Sequence, residues 1–220
     1  MCTNNSFSSS LIYCLFLFEF DHIDGALIVY NPEGYRAVRN LLIPFTNEED
    51  EALASDLLDQ ISMLNPETDA ARIQELEAQL DPLYAPLEAT ANEIAEKLQA
   101  GESFLALADQ YGADELMGVE PVRSEGYYIN DDSYLYSSEF IQGSMILEQP
   151  GQVSSPLRSF AGLHLVEYLK DVTPGEVPLS SVTEAVKAEA LEARQQAYYD
   201  EQINAMLEEA NVRYYPERLQ

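Results

Sequence analysis

Residues 140–168 decide the fold, and they read FIQGSMILEQPGQVSSPLRSFAGLHLVEY. The first part has the pattern of a short helix, Pro150 and Gly151 mark a turn, and a serine-rich extended segment follows. The last part is a strand that carries His164 between two leucines, so we expect the imidazole to lie in apolar surroundings. The stretch therefore predicts a helix, a turn and a strand, with one histidine on the strand.

The segments upstream predict a further strand and several helices. Residues 35–45 read as a strand whose alternate positions, Leu41 and Ile43 among them, share one face. Residues 46–49 resemble a capping box that opens an acidic amphipathic helix. We expect Pro82 and Pro86 to kink or break the helical run in which they lie.

The remaining segments alternate between predicted helices and predicted strands. Residues 103–111 predict a short helix and residues 127–129 a strand. A second capping box at residues 181–184 predicts a long helix to about Ala210, and the tail at residues 212–215 is expected to be a short strand or an extended peptide. The fold class predicted from the whole chain is α+β.

Charge and residue counts exclude several classes of function. Of 220 residues, 39 are acidic and 11 basic, which gives a formal charge of -28 and disfavours nucleic acid or an anionic membrane as a partner. His22 and His164 are the only histidines, and both cysteines fall within the first 14 residues. A zinc site is therefore not expected, and we predict no metal and no cofactor.

The beginning of the chain is the least regular part of the sequence. Residues 11–18 are apolar but too short to span a bilayer, and no Lys or Arg precedes them, so they make a poor signal peptide. We interpret residues 1–31 as a truncated or irregular segment of a longer exported protein. Residues 32–172 then form the main domain, with an acidic helical insertion at about 47–91, and residues 173–220 form a C-terminal helical segment.

Several segments, taken in order, resemble the parvulin-type peptidyl-prolyl isomerases, and in particular the exported PrsA/SurA-type foldases of Gram-positive bacteria. Residues 35–43 resemble the first strand of the family, and residues 91–111 resemble its helix-Gly-x-x-Phe-helix unit. Residues 111–114 resemble the family element that begins with an aromatic residue. Residues 124–127 resemble the Gly-containing strand of the family, and residues 140–147 resemble its pocket helix. Residues 151–156 and 162–166 resemble its last turn and last strand. The resemblance implies an antiparallel sheet surrounded by helices, with a long C-terminal helix of the chaperone-like kind.

The resemblance also implies a set of site residues. Its catalytic group comprises His164, Asp114, Asn40 and Ser159, and its proline pocket comprises Phe140, Tyr136 and Met145. Tyr136 stands where the family usually has Met or Leu. Asn40 stands where the first histidine of a central pair is expected, and Ala161 replaces a common serine, so an attenuated rate is predicted.

Taken together, these features predict a peptidyl-prolyl isomerase, or foldase, that assists the folding of exported polypeptides outside the cytoplasm. Its partners would be unfolded or proline-containing chains, and its helical segments offer a route to a dimer. Two alternatives remain open at this point. One is a non-catalytic chaperone of the same fold, and the other is an acidic helical scaffold.

Overall fold

The computed structural model of the chain describes residues 18, 19 and 21–210. The described residues up to Glu176 form one compact unit, and those from Val177 onward form a second. The predicted tail at residues 212–215, both cysteines and most of the apolar run at residues 11–18 lie outside the described residues.

The first unit is built on two antiparallel sheets. Strand β1 (Tyr30–Asn31) pairs with β6 (Gly175–Glu176). The larger sheet has the order β3-β2-β5-β4, in which the four strands are β2 (Arg36–Pro44), β3 (Tyr127–Ile129), β4 (Leu157–Ser159) and β5 (Gly162–Asp171). The two long strands, β2 and β5, therefore lie at the centre.

Register along β2 and β5 decides which side chains share a face. Asn40 lies opposite Val166, and Leu42 lies opposite His164. The pairing begins where Gly162 meets the end of β2 with a φ of 141°. A Cβ atom at Gly162 would lie 2.1 Å from the carbonyl oxygen of Ile43, so only glycine permits this close approach.

Helices cover both faces of the larger sheet. One face, which includes Leu41 and Ile43, packs against α1 (Glu48–Ser62), α2 (Ala70–Gln99) and α3 (Phe104–Tyr111). The other face, which includes Val38 and Val166, packs against a 3-10 helix (Glu115–Gly118), α4 (Val122–Glu125) and α5 (Ser138–Met145). The predicted α+β class, an antiparallel sheet surrounded by helices, is confirmed.

The structure corrects two local predictions about the helices of this unit. Helix α1 is capped by Asn47 rather than Thr46, because the Asn47 side chain accepts from the backbone N–H of Asp50. Helix α2 is not broken at Pro82 or Pro86, which are both exposed, because it continues through them. The same helix buries six residues against the sheet, and we infer that this burial outweighs the lost backbone bonds; the six are Leu76, Leu80, Tyr84, Leu87, Ala91 and Ile94.

The second unit consists of one long helix, α6 (Leu179–Glu209). It begins after Pro178 with no side-chain cap, so the predicted capping box at Ser181 does not form, and the Ser181 hydroxyl instead donates to the Pro178 carbonyl. None of its residues is buried, and its exposed apolar side chains include Leu191, Tyr198 and Ile203. Among the described residues, no helix combines the length and apolar character needed to cross a membrane.

Candidate functional site

A chain of hydrogen-bonded side chains crosses the larger sheet and takes one member from each strand. Ser159 on β4 bonds His164 on β5, with 2.8 Å between Oγ and Nε2. His164 bonds Asn40 on β2, with 2.9 Å between Nδ1 and Oδ1. Asn40 donates to Asp114, Nδ2 to Oδ2 2.7 Å, and Tyr127 on β3 donates to both oxygens of Asp114 at 2.8 and 2.9 Å. We call these five residues the polar chain.

The direction of each bond follows from the carboxylate of Asp114. Because an ionised carboxylate only accepts, the amide nitrogen of Asn40 must face Asp114 and its oxygen must face His164. His164 therefore carries a proton on Nδ1, and in the neutral ring Nε2 accepts from the hydroxyl of Ser159. The polar chain has one consistent assignment of donors and acceptors, with a neutral imidazole at its centre.

Burial supports the neutral form of His164. Loss of solvent lowers the pKa of this imidazole below its ordinary value, and the negative charge of Asp114 opposes that effect only in part. Protonation would add an N–H at Nε2, so the Ser159 hydroxyl would have to give up its bond to Nε2 as a donor and donate to the Gly162 carbonyl at 3.3 Å. The site therefore favours an uncharged histidine that organises its neighbours.

The segment around Asp114 is held in place by backbone bonds. The N–H of Ala113 donates to the carbonyl of Leu42 on β2 at 2.9 Å, which fixes the loop against the sheet. Asp114 also caps the 3-10 helix by accepting from the N–H of Leu116 at 3.1 Å. Burial, reinforced by the Asp114 charge, raises the pKa of the Tyr127 hydroxyl, so Tyr127 remains a proton donor.

An aromatic cluster lies beside the polar chain. The ring of Phe140 meets His164 edge to face with 5.6 Å between centroids, and Tyr136 packs on Phe140 at 5.5 Å. Tyr127 contacts both of these aromatic rings and so belongs to the polar chain and the cluster alike. Met145, at the other end of α5, packs against the same apolar core. The result is an apolar surface next to an ordered set of hydrogen bonds.

Contacts at both ends of helix α5 hold it beside the polar chain. Its first turn is capped by Ser137, which accepts from the N–H of Phe140 at 3.3 Å. At its other end Arg36 donates to the carbonyls of Ser144, Met145 and Leu147 at 2.8 to 3.1 Å. In its middle Gly143 faces β4 so closely that an added Cβ would lie 2.3 Å from Leu157.

The structure thus brings the residues selected from the sequence together in one place. Asn40, Asp114, Ser159 and His164 form the polar chain with Tyr127, while Phe140, Tyr136 and Met145 belong to the adjacent aromatic and apolar surface. Ala161 lacks the hydroxyl that a serine would supply, but its backbone N–H donates to Ser159 Oγ at 3.2 Å. The roles of these residues in a reaction remain predictions.

Tyr127 is the member of the site that sequence reasoning missed. It lies in the short strand 127–129, where an aromatic residue indicates core rather than a polar partner. The only local signal was Gly126, whose φ of 80° lets the chain turn tightly into β3.

Comparison with known proteins places the chain near a group of bacterial foldases. It is 26% identical over 136 residues to foldase protein PrsA 3 of Bacillus anthracis, a match that covers 57% of this chain and 44% of that protein. Foldase protein PrsA 4 of Bacillus cereus is 28% identical over 136 residues, covering 57% of this chain and 43% of that protein. The chain therefore spans less than half the length of the curated relatives that it matches. No family model matches the chain.

Solved structures of the same group also align with the chain. A crystal structure of the peptidylprolyl isomerase PrsA from Bacillus anthracis has 19% identity and a TM-score of 0.36, covering 94% of this chain and 71% of that one. For PrsA from Bacillus subtilis the values are 15% identity, a TM-score of 0.37, and 93% and 63% coverage. A TM-score of this size does not by itself establish a shared fold. The sequence matches confirm the predicted resemblance to PrsA-type foldases.

Proposed function

We propose that this chain is a peptidyl-prolyl isomerase, a foldase that acts on proline-containing segments of unfolded polypeptides. The observation that carries the proposal is the contact between the polar chain and the aromatic cluster, where the ring of Phe140 packs on the imidazole of His164. The similarity to PrsA foldases supports the same assignment.

Isomerisation of a prolyl bond makes modest chemical demands. The amide rotates over a barrier of about 18–20 kcal/mol, and no bond is broken. A catalyst must hold the proline ring in apolar surroundings and stabilise the twisted amide better than the planar one. No nucleophile is needed, which is why a site made of hydrogen bonds and aromatic rings suffices.

The site supplies both requirements. Phe140, Tyr136 and Met145 form the apolar surface that would receive the proline ring. Ser159 and Asp114, at either side of His164 and Asn40, offer polar contacts near the rotating carbonyl. His164 and Asn40 act as positioning residues because their hydrogen bonds hold those two groups.

Asn40 is one of the two residues expected to influence the rate of isomerisation at this site. Its amide makes both of the bonds that a central side chain needs, accepting from His164 and donating to Asp114. The resemblance nevertheless places a histidine at this position and a serine at position 161. We propose that the enzyme is active with an attenuated rate and that it works outside the cytoplasm on exported clients.

A second candidate function is a chaperone of the same fold that holds clients without catalysis. The observation in its favour is α6, in which no residue is buried and side chains such as Leu191, Tyr198 and Ile203 are exposed. Such surfaces bind apolar segments of other chains.

A protease-coupled assay on X-Pro tetrapeptides tests the proposal, with Phe140→Ala as the variant and Phe104→Ala as its control. Both phenylalanines are buried, at 5% and 3% exposure, but Phe104 packs on the opposite face of the sheet. We expect wild type and Phe104→Ala to accelerate isomerisation at a temperature where they are folded, and Phe140→Ala to lose that activity.

The same assay, together with measurements of client aggregation and of helicity, separates the isomerase from the chaperone and the scaffold. No acceleration by micromolar wild-type protein, combined with suppressed aggregation of a denatured client, would favour the chaperone. Helicity that rises with protein concentration, without either activity, would favour the acidic helical scaffold and a dimer formed through the helices.

A further inference from the structure

Glu19 is a buried acid in the segment that precedes the predicted domain. Its exposed fraction is 0%, and one carboxylate oxygen, Oε1, accepts from the hydroxyls of Tyr35 at 3.0 Å and Ser133 at 2.6 Å. Both of these partners are neutral, and among the described residues no cation bonds the carboxylate. A buried carboxylate without a cation is costly, and such groups are kept where their hydrogen bonds matter.

One of those partners belongs to a loop that leads into the proposed pocket. We call residues 130–137 the pocket loop, because it runs from the end of β3 through Tyr136 to Ser137, the cap of α5. Within it the N–H of Asn130 donates to Ser133 Oγ at 2.8 Å. Ser133 therefore joins the internal structure of the loop to Glu19.

The other oxygen of Glu19 and its charge give a second link to the pocket loop, through Tyr136. Glu19 Oε2 and the hydroxyl of Tyr136 are both buried without a hydrogen-bond partner among the described residues. After burial itself, the charge of Glu19 is the largest influence that raises the pKa of the Tyr136 hydroxyl. The carboxylate and the pocket tyrosine are thus electrostatically coupled as well as linked through the loop.

Residues on either side hold Glu19 in its place. Phe18 packs edge to face on Tyr35 with 4.8 Å between ring centroids. His22 stacks on Tyr128 at 3.6 Å, and its Nε2 donates to the carbonyl of Gly126 at 2.7 Å. The segment is therefore anchored to the start of β2 and to β3 independently of the Glu19 bonds.

We propose that Glu19 is a positioning residue for the proline pocket. Its bond to Ser133 holds the pocket loop, and the loop holds Tyr136 and the first turn of α5 where the substrate ring binds. A segment outside the predicted domain thus completes the site. This inference rests on the proposed function for its catalytic readout.

Two single-hydroxyl variants test the proposal, because each removes one donor from the same carboxylate oxygen. Ser133→Ala breaks the bond to the pocket loop and also removes the acceptor of the Asn130 N–H, which Glu19→Ala leaves in place, whereas Tyr35→Phe breaks only the bond to the residue before β2. We expect Ser133→Ala and Glu19→Ala to raise KM for an X-Pro peptide by about tenfold, which corresponds to about 1.4 kcal/mol. Tyr35→Phe should leave KM within about twofold of wild type.

Glu19→Gln is the conservative control. It keeps Oε1 as an acceptor for both hydroxyls and replaces the unpartnered Oε2 with an amide nitrogen. We expect its KM to match that of wild type. Equal KM values for Ser133→Ala, Tyr35→Phe and wild type would overturn the inference.

Amide hydrogen exchange gives a readout that does not depend on catalysis. We expect residues 130–137 to exchange faster in Glu19→Ala than in Glu19→Gln, while α3 on the opposite face is unchanged. Unchanged exchange in the pocket loop would overturn the inference even if the protein is an isomerase. Faster exchange in a protein whose wild type is inactive would support the positioning role and reject the proposed function.

Discussion

Asn40 on β2 accepts a hydrogen bond from His164 on β5, with 2.9 Å between Oδ1 and Nδ1. The two residues are diagonal neighbours, because Asn40 lies opposite Val166 and His164 lies opposite Leu42. The amide also donates to Asp114, so one small side chain joins the histidine to the carboxylate. This double role makes position 40 the most informative place to alter the site.

We expect Asn40→His to raise kcat/KM, by roughly 3–10-fold, a change of at most about 1.4 kcal/mol in the barrier. One ring nitrogen of the new histidine would donate to Asp114 and the other would accept from His164, as the amide does now. Protease-coupled kinetics measure the change. An unchanged rate would show that Asn40 does not attenuate the enzyme.

Asn40→Leu is the matched control for that substitution. It leaves the N–H of His164 without a partner, at a cost of about 1–3 kcal/mol, and it removes the Asn40 donor from Asp114 Oδ2, which keeps only the Tyr127 hydroxyl. We expect lower stability and lower activity, measured by urea unfolding and by the same kinetics.

Exchanging the residues at positions 40 and 114 tests the direction of the polar chain. Asp114→Asn alone leaves one accepting oxygen in place of two, so its new amide N–H faces either the Asn40 amide or the Leu116 N–H, and Asn40→Asp alone sets two carboxylates against each other. In the double variant, Asp at position 40 accepts from both His164 and the new amide, while Tyr127 still donates to position 114.

Each single variant should lose about 1.5–3 kcal/mol of stability, the range for hydrogen bonds to charged groups. The double variant should recover most of that loss, as a double-mutant cycle by urea unfolding would show. Additive losses would mean that Asn40 and Asp114 do not interact as described.

Stability should fall as the pH drops from about 7 to 5, in part because of His22. Burial, the largest influence, lowers the pKa of His22 below the ordinary 6.5, against the opposing effects of the Gly126 bond and Glu125. Below pH 6.5 the unfolded chain therefore binds a proton that folded His22 does not, and stability decreases by up to about 1.4 kcal/mol per pH unit. The same sign applies to His164.

Comparing His22→Gln with wild type isolates this contribution. The glutamine amide keeps a donor for the Gly126 carbonyl but has no charge to titrate. Urea unfolding at pH 7, 6 and 5 should show a smaller decline in the variant, whereas Asp24→Asn, at an exposed position of the same segment, should decline as wild type does. Parallel curves for all three proteins would contradict the prediction.

Pro82→Ala should stabilise the protein by about 1–2 kcal/mol. Pro82 is exposed in the middle of α2, so the substitution changes little besides the helix backbone. It would restore an N–H donor for the carbonyl of residue 78 and remove the clash of the ring with that turn. Thermal unfolding measures the gain, and an unchanged or lower midpoint would refute it. Ala85→Pro, at a neighbouring exposed position, should destabilise the helix.

Predictions from the sequence succeeded where one short pattern carried the information. The alternation along β2 correctly placed Leu41 and Ile43 on one face and Val38 on the other. The family resemblance brought in Asp114, which is 74 residues from Asn40 and which no local pattern would have joined to it.

Two of the failures have a physical origin in contacts that local sequence does not reveal. Local propensity predicts that Pro82 disrupts a helix, yet burial of Leu80 and Tyr84 on the same helix opposes that effect. Glu19 gave no signal, because its partner Ser133 is 114 residues away and an isolated glutamate is usually solvated.

The polar chain has one further consequence, which concerns how the sheet assembles. Tyr127, Asn40, His164 and Ser159 come from four different strands and meet only when every pair of strands is in its native register. Sliding one strand by a single residue would turn its polar member to the opposite, apolar face and leave the others unpaired. The residues proposed for catalysis therefore also penalise misaligned sheets, so substitutions that tune the rate will change the accuracy of folding as well.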